Sequence, residues 1–203
     1  MAKVEVATRQ SEAPPPPALR WTSADLEALP DNGKRYEIID GELYMSKQPH
    51  WHHQFACGQI FSELQTWSKQ TGEGQANLAP GVIFADDDDV APDVVWISRE
   101  RRDAALGTEG HLHAAPELVI EVLSWGLKNE QRDRDAKLKL YSRRGVQEYW
   151  IADWRMKQIE IYRRSDQALH LVATLLKTDT VTTPLLPGFS CLVATFFDDY
   201  LTS

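Results

Sequence analysis

The stretch Ala115-Pro116-Glu117-Leu118-Val119-Ile120-Glu121-Val122-Leu123-Ser124-Trp125 constrains the fold most. Leu118, Val119, Ile120, Val122 and Leu123 are branched and apolar with no alternating polar face, which predicts a short strand buried on both sides at the centre of an α/β sheet. Glu121 interrupts that run. A carboxylate in a core strand bears a large desolvation cost unless a cation, a partner or its own protonation offsets it. The rest of the chain must supply that compensation.

With 203 residues, 42% hydrophobic and 26% charged, the chain is long enough for one domain with a sizeable core. No run approaches the roughly 18 consecutive apolar residues of a membrane span. The polar first twenty residues lack a signal peptide's apolar centre, so a cytoplasmic protein with no membrane association is expected. Cys57 and Cys191 are far apart, without zinc-ligand spacing, and are expected to be buried free thiols. A net charge of −8 argues against a general DNA coat. It does not exclude a nuclease, because metal ions can supply positive charge locally.

Residues 1–20 end in Pro14-Pro15-Pro16-Pro17 and read as a Pro-rich tail, leaving residues 21–203 as a single domain. Thr22 with Asp25 predicts a capped short helix that Pro30 ends, and Asp31-Asn32-Gly33 is turn chemistry. Tyr36, Ile38, Ile39, Leu43 and Tyr44 flank Asp40-Gly41, which predicts a hairpin with a type I′ turn and places Glu42 just after it. Phe55, Ala56, Ile60, Leu64 and Trp67 recur at helical spacing over 52–69, and Thr71-Gly72 closes that helix. Strands are expected over 78–84 and 90–97. Asp86 to Asp89 between them lack the alternating ligands and glycine of a calcium loop and read as a solvated turn. Residues 99–114 read as a polar loop, and strands over 147–154, 158–163, 169–176 and 181–185 precede a final helix with Phe196 and Phe197.

Residues 129–144 carry few apolar positions, so the helical wheel decides their orientation. Taking Ala136 as zero, Leu140 falls at about 40°, Asp133 at about 60°, Lys137 at about 100° and Tyr141 at about 140°. Lys137 therefore lies within the buried arc. Lys139, at about 300°, points away with Arg132 and Arg143. Pro92-Asp93 opens one strand and Glu121 sits in the next; if the two are neighbours, their carboxylates converge and suit a hard divalent cation, magnesium best. Lys137 would then steady the nucleophile or the developing charge.

The fragments Tyr36-Glu37-Ile38-Ile39-Asp40-Gly41-Glu42-Leu43, Pro92-Asp93-Val94-Val95, Glu121-Val122-Leu123-Ser124, Lys137-Leu138-Lys139-Leu140-Tyr141 and Gly145-Val146-Gln147-Glu148-Tyr149-Trp150 fall in an order that resembles the Uma family of restriction-type endonucleases, within the PD-(D/E)XK nuclease superfamily. The resemblance covers about residues 21–200. It implies a restriction-endonuclease-like αβββαβ core, a central mixed sheet flanked by helices, with an extra N-terminal hairpin and C-terminal antiparallel strands. It further implies Asp93 and Glu121 as ligands of Mg2+, which Mn2+ can replace, with Lys137 and Glu42 also catalytic, DNA as substrate, and His53 facing the site. The superfamily's lysine usually stands two residues after the glutamate, where this chain has Leu123; Uma-like members resemble one another in carrying it on the next helix, at Lys137. A homodimer is expected by analogy, since cutting both strands takes two sites or two binding events.

Several rivals stand beside these assignments. His50, His52 and His53 open a helix where three ring nitrogens need not converge on a metal, and Arg99, Arg101, Arg102, Arg143 and Arg144 are as readily paired or solvated as bound to phosphates. At the level of function, the alternatives are a catalytically silent nuclease-fold protein that binds nucleic acid or a protein partner, and a metal-dependent hydrolase of small phosphate compounds.

Overall fold

Local chemistry sets the first elements. The computed structural model describes residues 19–30 and 33–198; the Pro-rich segment up to Ala18 and Asp31-Asn32 lie outside the described residues. Helix α1 (Ser23–Glu27) starts on the Thr22–Asp25 capping box, with Asp25 accepting from Thr22 N at 2.8 Å. Strands β1 (Arg35–Ile39) and β2 (Glu42–Ser46) form the expected hairpin. Its two turn residues, Asp40 and Gly41, have φ of 54° and 75°, as a type I′ turn requires.

Helix α2 (Trp51–Thr71) follows and ends on Gly72 at φ 74°. The next segment departs from expectation. A single strand over 78–84 is replaced by β3 (Gly74–Leu78) and β4 (Val82–Ala85), which join different sheets. The break is chemical: Ala79 at φ 45° and Pro80-Gly81 turn the chain. Likewise β5 (Asp88–Val90) and β6 (Val94–Ser98) divide the strand expected over 90–97, with Pro92 between them. Part of the expected loop 99–114 is helix α3 (Arg99–Ala105), whose N-cap Ser98 accepts from Arg101 N. Only Ala105 in it is buried, so it carried no apolar period to read.

The central strand is β7 (Leu118–Val122), buried at every position. Beyond it, α4 (Leu127–Gln131), a π-helical turn (Arg132–Lys137) and α5 (Leu138–Arg144) run as one interrupted helix to Gly145. Strand β8 (Glu148–Asp153) then returns parallel to β7. The meander continues through β9 (Gln158–Ser165) and β10 (Ala168–Leu176); short β11 (Thr180–Val181) and β12 (Cys191–Leu192) lead into α6 (Val193–Phe197). Only Val181 of the strand expected over 181–185 is extended in this way.

Six strands in the order β10-β9-β8-β7-β6-β3 form the mixed central sheet, antiparallel except at β7–β8. The hairpin, β5 and β4 form a second sheet in the order β2-β1-β5-β4. Helix α2, β3, β6, β7, the 127–144 helix and β8 reproduce the αβββαβ order. Period-two alternation sorts β7: Leu118, Ile120 and Val122 pack in the cluster of Ile60, Leu64 and Phe196, whereas Val119 packs in that of Leu140, Tyr141 and Tyr149. Glu121 therefore shares the face of Val119 and points toward the 127–144 helix.

Candidate active site

Strand register brings the two expected acids together. Val94 pairs with Ile120 in the antiparallel β6–β7 ladder, so Asp93, one step before Val94, stands beside Glu121, one step after Ile120. Asp93 Oδ2 accepts from Val122 N at 2.9 Å, which fixes its carboxylate at that point. Both line one cavity of about 160 Å3 that also receives Glu37, His53, Arg132 and Lys137.

Lys137 is 1% exposed and its ammonium donates to Glu121 Oε1 at 2.8 Å. The same nitrogen lies 3.0 Å from Glu37 Oε1, and Tyr141 Oη donates to Glu121 Oε1 at 2.7 Å. Lys139 is on the outside, paired with Asp135 at 2.7 Å. The wheel's division between these two lysines agrees with the structure, but its placement of Arg132 does not. Arg132 is mostly enclosed and its guanidinium Nε donates to Asp133 Oδ1 at 3.1 Å, with Nη1 3.7 Å from Glu37. The cause is the π-helical turn. In a regular helix residues five apart diverge by about 140°; bonding of the i to i+5 kind stacks Arg132 over Lys137 and turns both inward.

Glu42 lies elsewhere. It is exposed beside the hairpin turn, accepts from Tyr44 Oη at 2.9 Å, and does not line the cavity. The acidic hairpin residue that reaches the site is Glu37, which alternation puts on the same face as Ile39. Glu37, Ile38 and Ile39 are all enclosed in β1.

His53, on the first turn of α2, has its Nε2 3.3 Å from Asp93 Oδ2 and its Nδ1 3.6 Å from Cys57 Sγ. Ligand atoms of His53, Cys57 and Asp93 all lie within 4.8 Å of one another. His50 and His52 are exposed and do not join them. Both cysteines are free and buried, as expected. The arginines considered for phosphates have internal partners: Arg99 with Gly72 O, Arg101 with Glu117, Arg102 with Asp103, and Arg143 and Arg144 with Asp88.

Electrostatically the cluster is unbalanced. Glu37, Glu121 and Asp133 are buried and Asp93 nearly so, against the enclosed cations Lys137 and Arg132 and the more exposed Arg35, 3.6 Å from Asp93. Burial, only partly opposed by Lys137, and the neighbouring charges of Asp93, Asp133 and Glu37 push Glu121 up to about 8. Burial would also raise Asp93, but hydrogen bonding and charge from His53, then Lys137, hold it below the usual carboxylate range. For Glu37 burial is likewise outweighed, by Lys137 and Arg132, and its pKa is lowered. Burial would lower Lys137, yet Glu121 and Glu37 keep it firmly protonated.

A mixed sheet flanked by helices, with acidic side chains from adjacent strands and an inward lysine on the following helix, defines a nuclease-like α/β class. The chain belongs to the Uma2 family, described as "Putative restriction endonuclease", whose pattern matches residues 23–194. A solved structure from Anabaena variabilis, titled as a "putative nuclease belonging to DUF820", superposes with a TM-score of 0.69 at 18% identity, covering 87% of this chain and 97% of that one. No curated protein matches the sequence. No helix among the described residues is long and apolar enough to cross a membrane.

Proposed function

We propose that the protein is a metal-dependent endonuclease that hydrolyses phosphodiester bonds in DNA, with Asp93 and Glu121 as ligands of Mg2+, replaceable by Mn2+, and Lys137 as the group that positions the reacting atoms. The observation that carries this reading is the meeting of Asp93, Glu121 and Lys137 on one cavity. The donor set fits a hard divalent ion, because carboxylate oxygens are its preferred ligands and the enclosed acids Glu37, Asp93, Glu121 and Asp133 outnumber the enclosed cations Lys137 and Arg132. Such an ion supplies charge neutralisation, polarisation of a phosphoryl oxygen and a more acidic water.

The chain's own groups do the remaining work. His53 and Lys137 keep Asp93 ionised, and a divalent cation beside Glu121 would favour its ionised form. Lys137, already protonated and anchored by two carboxylates, can donate a hydrogen bond to the attacking water or to the charge that grows on phosphorus oxygens. Hydrolysis forms a bond from the water oxygen to phosphorus and breaks one P–O ester bond, with a proton passing to the departing alcohol. Glu37 assumes the supporting acidic part that the family resemblance gave to Glu42.

The test is nicking of supercoiled plasmid in Mg2+ or Mn2+. Wild-type protein should cut and both Asp93→Asn and Glu121→Gln should lose cutting; equal cleavage by either variant would remove that residue from the mechanism. One observation favours a second reading, a silent nuclease-fold protein: among the described residues no buried side-chain polar atom lacks a partner, so the Lys137–Glu37–Glu121 cluster closes on itself. Absence of cutting by wild-type protein with either ion would select it.

A further inference from the structure

The carboxylate cavity adjoins a second cleft of about 330 Å3 that shares Lys47, Ser124 and Arg132 with it and is walled by His50 and Trp125. His50 and Trp125 belong to an aromatic cluster that Trp154 backs from outside the cleft: Trp125 follows β7 and Trp154 follows β8, while His50 caps α2. The rings are held in a fixed arrangement. His50 stacks on Trp154 at 4.8 Å with planes 8° apart, and Trp125 meets Trp154 edge-on at 5.8 Å. Trp154 is tied down by its indole N–H, which donates to Leu123 O at 3.0 Å. The Arg155 guanidinium lies 5.5 Å from the Trp125 ring centre and is itself fixed by Asp153 and Glu130.

Trp125 is nevertheless 62% exposed. A large indole left in water yet braced by a cation and a second indole is a prepared contact surface rather than part of the core. Its continuity with the carboxylate cavity places it one step from the phosphate that would be cut. The net charge of −8 limits how much affinity phosphate contacts can supply, which leaves base stacking as the sequence-tolerant source of binding.

We propose that the His50–Trp125–Trp154 cluster is a stacking platform for an unpaired nucleobase beside the scissile phosphate, so that the substrate is single-stranded or locally melted nucleic acid rather than continuous duplex. This rests on the nuclease reading and narrows its substrate. A base inside a duplex already has both faces covered by its neighbours; only an unstacked one can offer a face to Trp125.

The experiment measures binding, by anisotropy of labelled oligonucleotides, to the full-length protein in EDTA. Short oligo(dT) should bind more tightly than duplex of equal length, and Trp125→Ala should weaken it by about tenfold or more. Trp125→Phe should restore most of the loss, and the difference between wild type and Trp125→Ala should persist when salt is raised, because stacking releases no counterions. Equal binding of oligo(rU) would support the platform, since it offers the same kind of base face, and would widen the substrate to RNA. Unchanged affinity in Trp125→Ala, duplex bound as tightly as single strand, or no oligonucleotide bound at all would each overturn the proposal. Because no metal is present, the two claims fail separately: plasmid cutting through Glu121 can survive loss of the platform, and Trp125-dependent binding can survive loss of cutting.

Discussion

Asp88 and Glu121 are both carboxylates almost fully enclosed by protein, and their surroundings treat them in opposite ways. Asp88 receives hydrogen bonds from Arg143 Nη2 at 3.0 Å, Arg144 Nε at 2.9 Å and the backbone N–H of Asp40 at 2.8 Å. Burial would raise its pKa, but these three donors lower it. Burial raises the pKa of Glu121 most; its one ammonium, itself shared with Glu37, opposes this only in part, and three further acids add to the rise. Burial of an acid is therefore no mark of function by itself. The distinguishing property is a local excess of negative charge that the protein leaves for something else to neutralise.

The largest expected effect separates the two regions by activity. Lys137→Ala should lower Mg2+-dependent cleavage by on the order of 10²–10³, the loss typical of removing one preorganised donor at developing charge. Steady-state nicking rates of folded variant, checked by circular dichroism, measure it. Asp88→Ala should act on the fold instead, costing about 3 kcal/mol, at the low end for a broken buried pair because both arginines partly reach solvent. A urea midpoint that did not move would mean that the Asp88 cluster is not structural.

A subtler contrast lies in pH. The folded-state pKa of Glu121 is raised, so the stability it contributes is complete below about 4.5 and is lost as pH rises through about 8. Asp88 has a lowered pKa, so its contribution is present above 3.8 and is lost as pH falls through the folded-state value. Metal-free protein should thus lose less stability between pH 5 and pH 8 when it carries Glu121→Gln, whereas Asp88→Asn should flatten only the acid limb. Identical pH slopes for the two variants would erase the comparison. The smallest effect is Lys139→Ala, which breaks an exposed pair and should change stability by under about 0.5 kcal/mol and cleavage little.

The sequence carried the frame of this comparison but only half of its content. The unbroken apolar run around Glu121, the Asp40-Gly41 turn and the inward angle of Lys137 depend on residues close in the chain, and each is legible from spacing alone. Asp88 has the local sequence of a solvated turn, because its partners, Arg143 and Arg144, lie more than fifty residues away and only the fold unites them. A uniform 100° step puts Arg132 on the outer face, because it does not anticipate a π-helical turn. Glu37 has no such local signal, because the hairpin belongs to a sheet that packs this side chain against Arg132 and Lys137, nearly a hundred or more residues away. The aromatic platform joins Trp125, Trp154 and His50 from three elements and has no local signature.

The central claim, that Asp93 and Glu121 share one divalent ion, is tested most directly by a crystal soaked in Mn2+ and measured at the manganese absorption edge. One anomalous peak is expected between the two carboxylates, absent in Glu121→Gln crystals treated alike. No peak at that position in the wild-type crystal, or an ion held by His53, Cys57 and Asp93 with Glu121 still bound only to Lys137 and Tyr141, would contradict it.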